Sequence, residues 1–209
     1  LLKLLATHFG SHTISMHNQE TAAENEFFEN KTGDFIGMYE RTKVALDYFH
    51  ATGKTSLQSV LPKINTAAHC ILVHNSFTSV ADIQAVQQQM PNTSWCLCPN
   101  ANQYIESAMP PIDLLRAQKV NIVVGTDSYA SNWSLNILDE LKTIQKHNPT
   151  IELAEMLGWA TLNGARALQM DKHLGNLEKG KKPGLVLISG VDAAGKLSRS
   201  SSSKQLIKN

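Results

Sequence analysis

This sequence has little or none of several features that would assign a protein to a specialised class. It contains three cysteines, an odd number without the spacing of a disulfide framework, so we expect a cytoplasmic protein. The net charge is only +1, which excludes a strongly basic surface for nucleic acid or membranes. No apolar run approaches the roughly 18 residues of a membrane span. These absences favour a globular domain without a nucleic-acid or membrane partner.

Regular hydrophobic runs are present. Short apolar segments predict five strands, at residues 13–17, 68–74, 94–98, 120–125 and 185–188. Amphipathic, helix-sized segments separate the first four of these runs. Such an alternation is typical of the α/β class, in which helices cover a parallel sheet.

Helix starts can also be identified. Thr21 with Glu24 has the spacing of a capping box, in which two side chains satisfy the first free amide groups of a helix. Ser79 with Asp82 is predicted to open another helix. A third helix is predicted to start at Asp34.

Helix ends and the C-terminus give further predictions. The helix from Asp34 is expected to end near Gly53, and residues 150–170 are predicted to be helical. The serine-rich residues 198–204 are expected to form a frayed, polar tail.

Acid–base and metal-ligating side chains follow the predicted strands. His17 and His74 end two runs, and Asp127 follows a third. In parallel α/β folds the carboxyl ends of strands form the active site. Each residue alone has a structural explanation, since Asp127 can cap a helix and a histidine at a strand end is commonly only hydrogen-bonded. Together with Glu20 they have the chemistry of a metal-dependent hydrolase, because imidazole and carboxylate groups bind zinc and a nearby carboxyl group can move protons.

The order of these motifs resembles the amidohydrolase superfamily, in particular the cytosine deaminase, guanine deaminase and chlorohydrolase-like branch. The segments that carry the resemblance are residues 17–21 (HNQET), His74, residues 98–102 (CPNAN), residues 125–128 (GTDS), residues 160–168 (ATLNGARAL), residues 174–175 (LG) and residues 180–185 (GKKPGL). The resemblance extends from about residue 12 to residue 188. It implies a TIM barrel, (β/α)8, of which this chain supplies strands 5–8 and the start of a small β-sandwich.

The resemblance also implies roles for individual residues. His17 and Asp127 correspond to metal ligands, and Glu20, His74 and Asp127 to catalytic groups. His74 also corresponds to a residue that contacts substrate. The metal is expected to be one divalent ion, zinc in the first place, with iron and manganese also compatible.

Two further positions have expected substrate contacts. Asn102 lies in the segment after the third predicted strand, which shapes the pocket in the family. Ser131 lies close enough to Asp127 in sequence to reach substrate, although a helix-capping role is equally compatible.

One family motif is missing from the chain. The superfamily carries a His-x-His pair on its first strand, which supplies two metal ligands, and no His-x-His occurs here. The chain also begins without Met, and its 209 residues are fewer than the about 250 of a typical complete barrel. We therefore expect residues 1–170 to be the C-terminal half of a barrel and residues 171–209 to return to the sandwich. The missing N-terminal half becomes an expected partner, and the isolated chain is expected to be inactive and largely metal-free.

The expected reaction is hydrolytic deamination of an aromatic amine, such as a purine or pyrimidine base or a nucleoside, with water as co-substrate. Aminodeoxyfutalosine and methylthioadenosine are narrower candidates. A chlorohydrolase or cyclic-amide hydrolase is an alternative with the same chemistry. A non-catalytic binding or scaffold protein is an alternative of another class. The oligomeric state stays open, with a homo-oligomer as one option.

Other motifs are assigned structural roles. Residues 53–55 (GKT) resemble the end of a P-loop, but Tyr48 stands where that motif needs glycine. Cys96 and Cys98, two residues apart on a strand, are expected in the core. The three tryptophans, at positions 95, 133 and 159, lie in apolar patterns and are also expected to be buried.

Overall fold

The computed structural model describes residues 2–208, which form α-helices and β-strands in alternation. The strands are β1 Thr13–Asn18, β2 His69–His74, β3 Thr93–Leu97, β4 Asn121–Val124, β5 Leu185–Val191 and β6 Leu197–Ile207. The helices are α1 Leu2–Ala6, α2 Ala22–Asn30, α3 Asp34–Thr42, α4 Ser56–Ile64, α5 Val80–Gln89, α6 Pro99–Glu106, α7 Ile112–Ala117, α8 Ile137–His147, α9 Leu153–Gly158 and α10 Gly164–Ala167. The α/β class and the five predicted strands are therefore confirmed.

The chain divides into two compact units, and the boundary runs through β3. The first unit contains the described residues up to Trp95, together with Ala108–Val120. The second contains Cys96–Ser107 and the described residues from Asn121 onward. The strand order of the four-stranded sheet is β1-β2-β3-β4. The predicted domain boundary at residue 170 stays a prediction.

In the first unit, β1 and β2 run parallel, and Thr13 pairs with His69. Helices α4 and α5 supply much of its buried apolar surface, including Leu57, Leu61 and Ile83. Burying a side chain of this size contributes about 1.5–3 kcal/mol.

Helix α5 starts as the sequence predicts. The Ser79 hydroxyl accepts from the amide of Asp82, and the Asp82 carboxylate accepts from the amide of Ser79. The capping box predicted at Thr21 is wrong, because the Thr21 side chain makes no capping hydrogen bond and Glu24 accepts from the amide of Glu20 instead.

Helix α3 is shorter than predicted, and a further helix was missed. Lys43 adopts a left-handed conformation (φ 56°) that ends α3 at Thr42, rather than near Gly53. Phe49 lies in the irregular segment after α3, and its ring stacks on that of Phe27 with the centroids 4.4 Å apart. Because this packing uses an apolar residue, the segment has an apolar pattern similar to that of a helix. The missed helix, α4, begins directly after Thr55, whose hydroxyl accepts from the amide of Gln58.

In the second unit, residues 150–170 are largely helical, as predicted, with a π-helical turn at Trp159–Asn163 between α9 and α10. The prediction of a frayed tail is wrong, since residues 198–204 belong to β6, which pairs antiparallel with β5. A backbone ladder needs no apolar side chain, and the Ser201 hydroxyl adds a bond to the Gly190 carbonyl.

The tryptophan prediction is confirmed for Trp95 and Trp159, which are buried. It is wrong for Trp133, which is 65% exposed and has the ring of Tyr104 at 5.6 Å. None of the helices formed by residues 2–208 has the length and hydrophobicity that a membrane crossing requires.

Candidate active site

In the first unit, the polar side chains that the sequence places at strand ends come together. His17 is the penultimate residue of β1, and His74 is the last residue of β2. The parallel register pairs His17 with Val73 and Asn18 with His74, so both histidines lie at the same edge of the sheet.

The two histidines and Glu20 form a compact group. The ring centroids of His17 and His74 are 5.1 Å apart and the rings are stacked. Each ring offers a nitrogen, and these two nitrogens lie within 4.8 Å of one another. Glu20 Oε1 lies 3.5 Å from His74 Nε2. His17 is exposed, whereas the His74 side chain is fully buried and Glu20 is partly buried. This edge therefore joins an imidazole open to solvent with a carboxylate–imidazole pair that is largely shielded.

The backbone of this group is held in unusual conformations. Gln19, His74 and Asn75 all have positive φ angles, of 47°, 75° and 60°. Residues other than glycine rarely adopt this region, and such strain concentrates at functional sites. Hydrogen bonds stabilise it here, because the Asn75 amide donates to the Asn18 carbonyl at 2.9 Å, and Asn18 Nδ2 donates to Asn75 Oδ1 at 3.0 Å.

In the second unit, Asp127 lies three residues beyond the end of β4 and also has a positive φ, of 56°. The Ser131 hydroxyl donates to Asp127 Oδ2. This bond orients the carboxylate. Ser131 is thus a direct partner of Asp127, a role that the sequence does not predict, and its substrate contact stays a prediction.

Asn102 lies in the first turn of α6, directly after β3, and is fully buried. Its backbone amide donates to the Cys98 carbonyl. The structure thus places Asn102 in the segment that follows the strand, as the sequence predicts, and its substrate contact stays a prediction.

Cys98 is buried, as expected, but Cys96 is only partly so. Both sulfur atoms lie against Gly125, where a Cβ atom would be 2.9 Å from Cys96 Sγ and 3.4 Å from Cys98 Sγ. A hydrogen bond from the Cys98 thiol lowers the pKa of Cys96, and the same bond raises the pKa of Cys98. Because of the short distance to Cys96 Sγ, a side chain larger than that of glycine at position 125, two residues before Asp127, would displace this sulfur atom.

A buried carboxyl group supports the Asp127 loop. Glu140 in α8 accepts from the amide of Asn100 at 2.9 Å and from Asn132 Nδ2 at 2.7 Å. Asn132 Nδ2 also donates to the Thr126 carbonyl, next to Asp127. Burial raises the pKa of Glu140 to about 7, because it outweighs the hydrogen bonds from the two asparagines.

This shifted pKa predicts a pH-dependent stability. The folded chain holds a proton on Glu140 up to about pH 7, whereas the ordinary pKa of this carboxyl group, in the unfolded chain, is 4.5. The stabilisation is therefore complete below about 4.5 and is lost as the pH rises through 7, by about 3 kcal/mol. We expect Glu140→Gln to remove most of this dependence, because glutamine carries no charge. Urea unfolding at pH 5 and pH 8 measures it.

The matched control is Glu152→Gln, which removes an exposed carboxylate of the same unit. This variant should keep the wild-type pH dependence. An equal pH dependence in wild type and Glu140→Gln would contradict the assignment of the proton to Glu140.

Several residues of the site were not assigned a role from the sequence. Asn18 and Gln19 were quoted within a motif without a function, and Asp82 was identified only as a helix cap. For Asn18 and Gln19 the signal was the run of polar residues at the end of β1. The hydrogen bonds that join these two residues to Asn75 and Asp82 span 57 and 63 residues, so only the fold reveals them.

Comparison with known proteins decides the family. The sequence pattern of the amidohydrolase family matches residues 3–208. The chain belongs to the amidohydrolase family. Over 172 residues it is 30% identical to the 5-methylthioadenosine/S-adenosylhomocysteine deaminase of Thermoanaerobacter pseudethanolicus. The aligned residues make up 77% of this chain and 38% of that relative.

Two solved structures agree. The crystal structure of aminofutalosine deaminase from Helicobacter pylori superimposes with a TM-score of 0.75 at 26% identity, over 88% of this chain and 45% of that one. An adenosine deaminase from Xanthomonas campestris with bound zinc has a TM-score of 0.64 at 25% identity, over 85% and 37%. The predicted family and the TIM-barrel class are confirmed, and the chain spans less than half the length of these relatives.

Proposed function

We propose that this chain carries the catalytic acid–base pair and part of the metal site of an amidohydrolase that deaminates an aromatic amine of nucleoside type. The observation that carries the proposal is the group of His17, His74 and Glu20, in which a carboxylate oxygen lies 3.5 Å from an imidazole nitrogen beside a second imidazole. The names of the relatives, all deaminases of adenosine-type nucleosides or of aminofutalosine, support the substrate class.

The donor set fits a divalent metal. His17 offers an exposed imidazole nitrogen and Asp127 a carboxylate that Ser131 orients, and both ligand types suit zinc, iron or manganese. We propose that these two residues bind the metal, because the family resemblance assigns both as ligands, and each belongs to the carboxyl end of a strand, where this class of fold places its site. A bound divalent cation supplies Lewis acidity, which lowers the pKa of a water molecule to about 7.

The chain's own residues move the protons. Glu20 takes a proton from the attacking water and delivers it to the departing amine, since a carboxylate beside the reacting atoms can act first as base and then as acid. His74 is held 3.5 Å from Glu20, and its buried ring donates to the oxygen or nitrogen where charge develops. Asp127 accepts the second proton of this water, which ends on the ring nitrogen of the product, so that the product and ammonia both leave neutral. His74, Asn102 and Ser131 are the proposed substrate contacts.

Loss of the Ser131 hydroxyl tests the orientation of Asp127. In the natural full-length protein, Ser131→Ala should lower the zinc affinity by about tenfold or more, because partners that orient a metal ligand are typically worth 10–100-fold. Competition with a zinc chelator measures this affinity. Ser134→Ala is the control, since its hydroxyl donates to Asp139 instead. An unchanged affinity in Ser131→Ala would contradict the role of Ser131.

The remaining predictions concern the extent of the chain. We propose that residues 1–170 correspond to strands 5–8 of a barrel, that residues 171–209 belong to the small sandwich, and that an N-terminal half completes the site. Since no His-x-His pair is present among the 209 residues, the chain by itself is expected to bind metal weakly and to be inactive. The cytoplasm is the expected location.

The experiment is a substrate screen with the natural full-length protein, supplied with zinc. Adenosine, methylthioadenosine, guanine, cytosine, a chlorotriazine and a cyclic amide are each incubated with it, and ammonia, chloride and the organic product are measured. Release of ammonia from an amino-purine or amino-pyrimidine supports the proposal. Release of chloride from a chlorotriazine, or ring opening without ammonia, would favour the alternative hydrolases and contradict it.

A further inference from the structure

The Asp82 carboxylate has more hydrogen bonds than a helix cap needs. It is fully buried at the start of α5. Its Oδ2 atom accepts from the Ser79 amide at 2.9 Å and the Ser79 hydroxyl at 2.7 Å, which completes the cap. Three further donors reach it from other parts of the first unit, and these need another explanation.

Two of the additional donors come from the start of α4. Thr55 Oγ1 donates to Asp82 Oδ1 at 2.5 Å, and Gln58 Nε2 donates to the same atom at 2.8 Å. Although burial alone raises the pKa of Asp82, the hydrogen bonds from Thr55 and Ser79 lower it overall. Asp82 is thus held as an anion that joins α4 to α5.

The third donor comes from the site. Gln19 Nε2 donates to Asp82 Oδ2 at 3.1 Å. Gln19 lies between His17 and Glu20, is fully buried, and has the left-handed φ of 47°. The other end of its amide accepts from Thr78 Oγ1 at 2.6 Å. Both ends of the Gln19 side chain are therefore fixed.

This arrangement controls where Glu20 points. The left-handed residue turns the chain after β1, and Glu20 then reaches to 3.5 Å from His74. The Gln19 carbonyl accepts from the Phe77 amide at 3.1 Å, which joins the same turn to the segment after His74. A displacement of Gln19 would consequently move both partners of the acid–base pair.

We infer that Asp82 is a positioning residue, which holds the Gln19 amide and thereby fixes the turn that places Glu20 beside His74. The expected effect of Asp82 on catalysis rests on the proposed function. Its expected effect on the conformation of the turn at Gln19 does not. The role differs from helix capping because the donor is Gln19, a residue outside α5 and 63 positions away in sequence, although the accepting atom is the same.

The test is Asp82→Asn in the natural full-length protein. Asparagine keeps one acceptor oxygen in place of two, so the donors that now share Oδ1 and Oδ2 compete for it. Where Gln19 Nε2 loses this acceptor, it keeps only Asn25 Oδ1, at 3.1 Å. We expect kcat to fall by about 10–100-fold, since a displacement of about 1 Å at a site can cost that much, with KM within about threefold of wild type. Gln19→Ala should give a similar fall, and the double variant should be no worse than either single variant.

Two controls separate positioning from stability. Ile83→Val destabilises the same helix by about 0.5–1.5 kcal/mol without touching the network, and its kcat should be unchanged. Gln58→Ala removes a donor from Oδ1 only, and should also leave kcat unchanged. A wild-type kcat in folded Asp82→Asn, or an equal loss in Ile83→Val, would overturn the inference. If Asp82→Asn fails to fold, Gln19→Ala decides by the same criteria.

A second measurement does not depend on turnover. Hydrogen exchange of the Phe77 amide, followed by NMR, reports on the turn because this amide donates to Gln19. It should be at least about tenfold faster in Asp82→Asn than in Ile83→Val. If the wild type shows no deamination, the proposed function fails, but the exchange rates still decide whether Asp82 fixes the turn. Exchange of the Phe77 amide at the wild-type rate in Asp82→Asn would overturn the inference.

Discussion

Replacement of Glu20 by glutamine is expected to slow deamination by about 10²–10⁴-fold, the usual contribution of a positioned general acid–base. Glutamine has nearly the same shape, but it cannot accept and return a proton. The turn at Gln19 does not use the Glu20 side chain, so the fold and the bound zinc should both be retained. Steady-state kinetics with metal analysis of the same sample measures both quantities.

The matched control for this prediction is Glu26→Gln in α2. It removes the same charge from an exposed carboxylate, so turnover should stay at the wild-type value. If Glu20→Gln kept wild-type kcat with full zinc occupancy, the proton-transfer role of Glu20 would be wrong. If it lost zinc together with activity, Glu20 would be a ligand instead.

The second large effect concerns the metal. In the natural full-length protein, His17→Ala and Asp127→Asn should each lower the zinc affinity by more than about 100-fold. Residues that only orient a ligand are worth about 10–100-fold, and loss of a direct ligand should exceed this. Equilibrium dialysis against zinc buffers measures the affinity, and activity at low zinc should fall in parallel.

His69→Ala is the control for the metal prediction. His69 lies at the start of β2, at the opposite end of the strand from His74, and its loss should leave zinc binding unchanged. Wild-type zinc affinity in His17→Ala would contradict its assignment as a ligand. A large loss in His69→Ala would indicate that zinc binds elsewhere on the first unit.

The strands were predictable because their signal is local. An apolar run that ends in His17 or His74 predicts both the strand and the residue that lies at its carboxyl end. Ser79 with Asp82 was predictable for the same reason, since a capping box spans only four residues.

Other parts of the fold depended on contacts that are distant in sequence. Phe49 has the apolar character of a helix face but packs on Phe27 from an irregular segment, so α3 was predicted too long. The serines of β6 have no hydrophobic pattern, and their strand exists because β5 offers a backbone ladder.

The site divides in the same way. The motif around His17 and Glu20 predicted the chemistry, because together with the later motifs it resembles the amidohydrolase family, which the chain belongs to. What holds the motif in place was not predictable. Asp82 lies 63 residues from Gln19, and only their hydrogen bond shows that a helix cap also supports the turn of the site.

The central claim is that the protein replaces an aromatic amine by oxygen from water, with loss of ammonia. Turnover of the substrate from the screen in ¹⁸O-labelled water, followed by mass spectrometry of the product, tests it most directly. Hydrolytic deamination predicts one ¹⁸O atom on the carbon that carried the amine and one ammonia for each product molecule. Unlabelled product, or product formed without ammonia, would contradict the account.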